Sequence, residues 1–337
     1  MKDDEGFLKR KDIEISLSRY GIQALSAMAR GLFASLIVGL ILQVLGQELN
    51  IELFIDFSEI AQDMMGPAIG VAIAYGLNAP PLVIFTSVIT GAAGAELGGP
   101  VGAFLAAIIG SEIGKIVSKE TKVDIIVTPI TVIITGSLVA KFVGPGINSF
   151  MNGFGQLIIN ATELHPIPMG VAVSTLMGMA LTLPISSAAI GLMLELSGLA
   201  AGAATVGCSA QMVGFAVISW KENRWEGLIS QGLGTSMLQM PNIINNPYIW
   251  LPPTISGAIL GPIATTLMPL KNIPIGSGMG TSGLVGQFGT VEVMGTGVIN
   301  QIILLHFILP ALLSLLIATL MRKKGLIKEN DLLLQEL

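Results

Sequence analysis

Between Tyr20 and Gly46 the chain runs for about 27 residues with Arg30 as its single charge, enough to cross the roughly 30 Å hydrocarbon layer of a bilayer as a helix. In lipid every backbone N–H and C=O must be bonded within the protein, so such a run can only be a helix or part of a closed barrel. A barrel strand would show about ten residues of alternating polarity, whereas this run is continuously apolar. Further apolar runs cover Ile125 to Val143, Ile167 to Leu183, Ser187 to Ser219, Leu251 to Leu270 and Thr296 to Met321, with shorter ones at Ile147 to Ile159 and Leu228 to Met240. At about 20 residues per crossing, this predicts an all-α polytopic membrane protein of about ten transmembrane helices, plus pieces too short to cross alone. Charged residues are only 12% of the chain, half the roughly 25% of a soluble domain. The organisation read from the sequence is a cytoplasmic segment over 1–19, one integral-membrane domain over 20–321 and a cytoplasmic tail over 322–337, with Lys328 to Leu337 solvated.

The 41 glycines and 17 prolines fall largely inside the apolar runs. Membrane helices tolerate both, and broken helices occur where they line a cavity, so this pattern points to a transporter-like bundle. Two stretches stand out, Gly91 to Gly102 and Gly276 to Gly297, each glycine-rich with one embedded glutamate; they read as candidate pseudo-equivalent hairpins of the kind that repeat-built transporters carry.

Charge placement gives a topology. Lys2, Lys9, Arg10, Lys11 and Arg19 precede the first span, and Arg322, Lys323, Lys324 and Lys328 follow the last, which puts both termini in the cytoplasm. Lys115, Lys119 and Lys122 mark one inner loop, and Lys221 with Arg224 marks another. Two full spans between Gly66 and Val117 would leave Lys119 outside. That stretch therefore needs an odd count: three short spans broken near Pro80-Pro81 and Gly98-Gly99-Pro100, or one span with a re-entrant hairpin. From Gln47 to Met65 the acids Glu48, Glu52, Asp56, Glu59 and Asp63 recur at helical spacing with no Lys or Arg, the pattern of an interfacial helix on the outer side.

A net charge of −5 excludes nucleic acid as the main partner. The single cysteine, Cys208, excludes a disulfide framework and a cysteine metal site. There is no GxxxxGK[ST], no HExxH, and no glycine loop following a strand, so the chain has no catalytic motif of its own, and neither a cofactor nor a metal is expected.

An ionisable side chain at membrane depth costs at least about 2.5 kcal/mol, so each one is a functional candidate. Glu292 leads. It follows Gln287-Phe288-Gly289-Thr290-Val291 in a segment where eight of 22 residues are glycine, too broken for a regular spanning helix. Unwound backbone there leaves amides free for a polar solute, and a carboxylate accepts hydrogen bonds from hydroxyls. His165 is second: Pro166 and Pro168 forbid a regular helix through it, and a neutral imidazole can both give and accept a hydrogen bond. Thr290 and Gln287, beside Glu292, and the apolar-flanked Glu96 and Glu195 complete the candidate substrate-binding set. Glu112 and Lys115, three apart, can pair on one helix face, and His306 reads as packed against a neighbour.

A His-Pro break in mid-chain followed by a Gly/Ser-rich hairpin with a Gly-Thr-Val-Glu step resembles enzyme IIC, the membrane permease component of the phosphoenolpyruvate-dependent sugar phosphotransferase system. Length, span number and motif order are also similar, so the likeness covers most of the chain. Among such proteins it looks most like the divergent stand-alone type, some of which regulate toxin production in Gram-positive bacteria. The resemblance implies a homodimeric bundle in a bacterial plasma membrane, with an N-terminal half forming the dimer contact and a C-terminal half holding the solute between two re-entrant hairpins. It implies sugar as solute, membrane lipid around it, and soluble IIA and IIB proteins as phosphoryl-transfer partners. The family's sugar-binding glutamate and histidine fall on Glu292 and His165. Thr290-Val291-Glu292 stands where the family has Ile-Thr-Glu, and no phosphorylation domain is fused. Two other functions fit the residues: an ion- or proton-coupled carrier of a small polar metabolite, and a membrane solute sensor.

Overall fold

The computed structural model describes residues 6–334. These are helical, with one isolated β-bridge between Gly198 and Asn272. Five helices are each long and apolar enough to cross a membrane: Ser18–Gln47, Pro81–Val117, Asp124–Thr162, Gly198–Ile218 and Thr296–Lys323. Met65–Gly76 and Pro166–Thr182 are shorter apolar helices. The chain is an all-α, multi-pass membrane protein. It divides into two compact units, one drawn from residues 1–39 and 59–150, the other from 40–58 and 151–336.

In the first unit a short helix α1 (Phe7–Arg10) leads into α2 (Ser18–Gln47), of which residues to 39 belong here. Next in the chain is the acidic helix α3 (Glu52–Asp63), of which only residues from 59 on belong here; Glu52, Asp56, Glu59 and Asp63 are all exposed, as their shared face predicts. Then come α4 (Met65–Gly76) and the apolar stretch Pro81–Val117, which is two helices rather than one. Gly98 and Gly99 leave the helical region, and Gly99 at φ +59° and ψ −153° adopts a conformation open essentially to glycine alone. Residues 81–97 (α5) therefore turn back and run antiparallel to residues 100–117 (α6). Ser87 and Ser111 hydroxyls meet at 3.3 Å across this hairpin, and a methyl group on Gly94 would stand 2.4 Å from the Gly102 carbonyl. The stretch from Gly66 to Val117 thus holds three helices, broken at both places where the sequence carries its proline and glycine pairs.

Lys115 does not lie in an inner loop with Lys119 and Lys122. It is 1% exposed, while the other two are at the surface. Its ammonium donates to the carbonyls of Asp12 at 2.6 Å and Leu77 at 3.0 Å and pairs with Glu112 at 3.1 Å, realising the expected spacing of three. Arg19 joins them, donating to Leu77 O and to the Asp12 carboxylate, both at 2.8 Å. That hydrogen bond holds the Asp12 carboxyl below the usual aspartate range. These bonds tie the N-terminal segment down by charge and fix it to the α4–α5 turn at Leu77 and Asn78.

The helix α7 (Asp124–Thr162) has 39 residues, about 58 Å of rise, and passes from the first unit into the second near residue 150. In the second unit α8 (Pro166–Thr182), α10 (Gly198–Ile218) and α13 (Leu251–Thr265) meet through small residues, with the short helices α11 (Trp220–Ile229) and α12 (Met240–Asn245) between the last two in the chain. The Ser174 hydroxyl donates to Gly257 O at 2.9 Å, and a methyl on Gly207 would fall 1.9 Å from Ser174 O. Such backbone approach is what small-residue faces allow in membranes, where lipid leaves little hydrophobic drive between helices. Gly207→Ala is accordingly expected to force α8 and α10 apart and cost about 1–3 kcal/mol, seen as a lowered unfolding temperature in detergent; an unchanged temperature would show that the helices can separate freely.

The tail is solvated only in part: Lys328, Glu329, Asn330 and Leu333 are exposed, while the chain around them is packed. Ile327 is 2% exposed and Leu332 is fully buried, both packed with Phe215, Ile218 and Ile249. An array of side-chain amides reads its backbone: Asn223 and Gln239 both donate to Leu332 O, at 2.7 and 2.9 Å, and Asn242 donates to Leu333 O at 2.9 Å. Asn246 donates to Leu326 O at 3.0 Å and to the Asp331 carboxylate at 2.6 Å. The asparagine-rich turn from Pro241 to Pro247, which by sequence is only a polar break, supplies half of this array. Of the expected tail, residues 335–337 lie outside the described residues.

Candidate functional site

The centre of the second unit is a crossing of two broken segments against α10. The first leaves α8 at Leu183, makes the short helix α9 (Ser187–Met193) capped by the Ser186 hydroxyl, and turns at Glu195 (φ +46°) into Gly198. The second runs from Asn272 through the single helical turn α14 (Pro274–Ser277), three left-handed residues at Gly280, Gly283 and Leu284, and the helix α15 (Val285–Met294). Proline starts α14 and glycines break the path after it, and Pro184 follows α8, which is why neither segment continues as a spanning helix.

The segments are fastened to each other at two places. Gly198 and Asn272 exchange both backbone hydrogen bonds, at 3.1 and 3.2 Å. The Ser187 hydroxyl donates to Gly278 O at 2.6 Å, and Gly191 is so close that a methyl there would meet the Ser277 hydroxyl at 2.3 Å. Asn272, 1% exposed, holds the centre. Its amide donates to the Thr205 hydroxyl of α10 at 2.7 Å and to Gly286 O of α15 at 2.8 Å, while its oxygen accepts from Ile273 N at 2.8 Å. The glycines at 276 and 289 are pressed on that same oxygen, each with room for no methyl group. A further buried path ties the second segment to the tail: the Thr281 hydroxyl donates to Gly232 O, Gly232 lies in the turn carrying Gln231, and Gln231 accepts from Gln239 at 2.9 Å.

The candidate residues take different places around this crossing. Glu292 lies on the last turn of α15, exposed; His165 caps the start of α8, also exposed. No hydrogen bond joins them among the described residues. The Thr265 hydroxyl at the end of α13 donates to Pro166 O, next to His165, at 2.7 Å, and Lys271 N donates to the Met294 sulfur, two residues beyond Glu292. Glu195 is exposed at the turn after α9, three residues from the Gly198–Asn272 bridge. Thr290 and Gln287 are buried on the other face of α15. Thr290 donates to Gly286 O at 2.8 Å, and the Gln287 amide nitrogen stands 2.9 Å from His306 Nδ1 of α16 (Thr296–Lys323), confirming His306 as a packed, bonded residue. Glu96 is exposed beside the α5–α6 turn and belongs to the first unit.

Sequence reading missed Asn272 and the first broken segment. An apolar run from Ser187 to Ser219 hides its break, because Leu194-Glu195-Leu196 keeps the run hydrophobic; the Ser197-Gly198 pair was its one signal. Asn272 carried no signal, since a lone asparagine between Lys271 and Ile273 is what any polar loop contains.

Interrupted helical segments that cross at a buried polar centre of a multi-pass membrane protein are the kind of element from which transporters build solute sites. A family model described as Phosphotransferase system, EIIC matches residues 22–334. The chain belongs to that family and is a permease component of the phosphotransferase type, with a solute as its substrate. No curated protein and no solved structure matches the chain.

Proposed function

We propose that this permease component moves a small hydroxylated solute, a sugar, by alternating access, with Glu292 and His165 holding it and Glu195 at the margin of the same site. The observation that carries this reading is the placement of Glu292: an exposed carboxylate with no partner among the described residues, on a short helix whose other face is pinned through Thr290, Gln287 and Gly286. A rigidly held helix that presents an unpaired acceptor is a preorganised hydroxyl-binding element. In this reading Thr290 and Gln287 serve the solute by fixing that helix, and Glu96, in the other unit, is not used.

Both termini then face the cytoplasm, as the flanking Lys and Arg residues favour, in a plasma membrane where separate IIA and IIB proteins supply the phosphoryl group and a second copy of the chain completes a dimer. Glu292→Gln is expected to weaken solute binding by about tenfold or more, because a hydrogen bond to a charged group contributes about 1.5–3 kcal/mol. The test is a thermal-shift panel of sugars, sugar phosphates and small acids on the purified protein, with this variant as control. A sugar that stabilises wild type and not the variant supports the reading. Equal stabilisation of both removes Glu292 from the site, and stabilisation by acids alone favours a metabolite carrier.

A further inference from the structure

A second polar cavity, of about 670 Å³, opens in the second unit where α16 ends and the tail begins. It lies within the size range of small-molecule sites. Its wall has the composition of a ligand site and not of a packing defect, since Lys221, Glu222, Arg322, Lys328, Glu329 and Asn330 all line it. Glu222 and Arg322 pair at 2.7 Å, and Arg322 also donates to Ile218 O at 3.2 Å, so this pair is fixed in the wall. The Glu222 side chain is only 4% exposed, and its second oxygen, Oε2, is buried without a hydrogen-bond partner. A dehydrated carboxylate with so few donors depends on Arg322 for its compensation, which keeps that guanidinium in the wall. Lys221 and Lys328 contribute two positive charges that no ion pair among the described residues takes up. The floor is not a loose end of chain: Asn246 donates to Leu326 O and to the Asp331 carboxylate, that carboxylate accepts from Lys328 N at 2.7 Å, and Asn223, Gln239 and Asn242 hold the carbonyls of Leu332 and Leu333 just beyond.

Two flexible ammonium groups beside a fixed guanidinium suit a phosphate, and the exposed acceptors Glu329 and Asn330 suit hydroxyls. We propose that this cavity binds the phosphate ester of a small polyol, with the phosphate on Lys221 and Lys328 and the hydroxyls on Glu329 and Asn330. The ligand can be a free sugar or glycerol phosphate or the headgroup of a phosphatidylglycerol lipid, since both present this chemistry. The site is separate from Glu292, on other elements of the same unit, and does not depend on the solute assigned there.

The test measures thermal stabilisation of the full chain by glycerol 3-phosphate and glucose 6-phosphate, with glycerol, glucose and inorganic phosphate as controls, and then in nanodiscs of phosphatidylglycerol against phosphatidylcholine. Three proteins are compared: wild type, Lys221→Ala/Lys328→Ala, and Glu292→Gln. Both lysines are exposed, so the double variant is expected to unfold at the wild-type temperature without ligand. The proposal expects esters or the anionic lipid to stabilise wild type and Glu292→Gln alike, with affinity at least about tenfold weaker in the double-lysine variant. Ester response in detergent identifies a free phosphate as ligand; response only in phosphatidylglycerol identifies the lipid. The proposal is overturned if wild type responds to neither, if the double-lysine variant responds equally, or if Glu292→Gln abolishes the response, which would move the ester to the solute site.

Discussion

Asn272→Leu is expected to be among the most damaging single substitutions in the second unit, lowering stability by about 3 kcal/mol or more. Leucine branches at the same carbon as asparagine, but it is larger, in a place where Gly276 and Gly289 already press on the side chain, and it bonds to nothing. It leaves Ile273 N without an acceptor and strips the amide donor from the Thr205 hydroxyl and Gly286 O, in a place that water does not reach. Each buried group left unsatisfied costs about 1–3 kcal/mol. Gly286 O keeps the Thr290 hydroxyl, so the sum stays below three full penalties. Thr205→Val removes only one of these partners and should cost about 1 kcal/mol. The measurement is the unfolding temperature in detergent beside solute binding, and the two should fall together, because Asn272 joins the crossing to the helix that carries Glu292. If Asn272→Leu lost binding at wild-type stability, the residue would belong to the solute and not to the scaffold.

Lys115→Met is the second large effect, expected at about 3–5 kcal/mol in the first unit. Its removal leaves Glu112 buried with only Arg19, 3.6 Å away, and takes a donor from the carbonyls of Asp12 and Leu77. Breaking one member of a buried pair is costly because the other charge remains, whereas removing both together is often near neutral. Glu112→Gln/Lys115→Met should therefore recover most of the loss, and a double-mutant cycle on unfolding temperature or denaturant resistance reads the coupling directly. Additive losses would show that the two residues act separately. The same cluster anchors Asp12 and, through Lys11 donating to Ser118 O, the segment ahead of the first long helix. Proteolysis near residue 12 should accordingly rise in Lys115→Met.

Both effects concern residues whose partners are far away in sequence, and this separates what could be read early from what could not. Helix type followed from apolar run length, since a bilayer leaves the backbone no other bonding partner. The break at Gly98-Gly99 and the unwound turns from Gly278 to Leu284 were legible because glycine and proline act locally, through φ and the missing N–H, whereas the helix over Val285–Met294 was not. The acidic face of α3 was legible for the same reason: a helical period is a local property. The buried cluster around Lys115 was half legible, as the Glu112 spacing showed, but its other half comes from Asp12 and Arg19, about a hundred residues earlier.

The amino-acid sequence by itself determined that this chain is an all-helical membrane protein, where its helices break, and which carboxylate and imidazole are candidates for a solute; its likeness to enzyme IIC lies in the same local motifs. Tertiary structure alone decided that the run from Ser187 to Ser219 is interrupted to meet Asn272, that Gln287 is spent on His306, and that the tail is clamped by amides from the turn before α13. The physical reason is the same in each case. Dihedral preference and apolar length act between neighbours in the chain, whereas a buried hydrogen-bond donor must find its acceptor wherever folding brings one within about 3 Å.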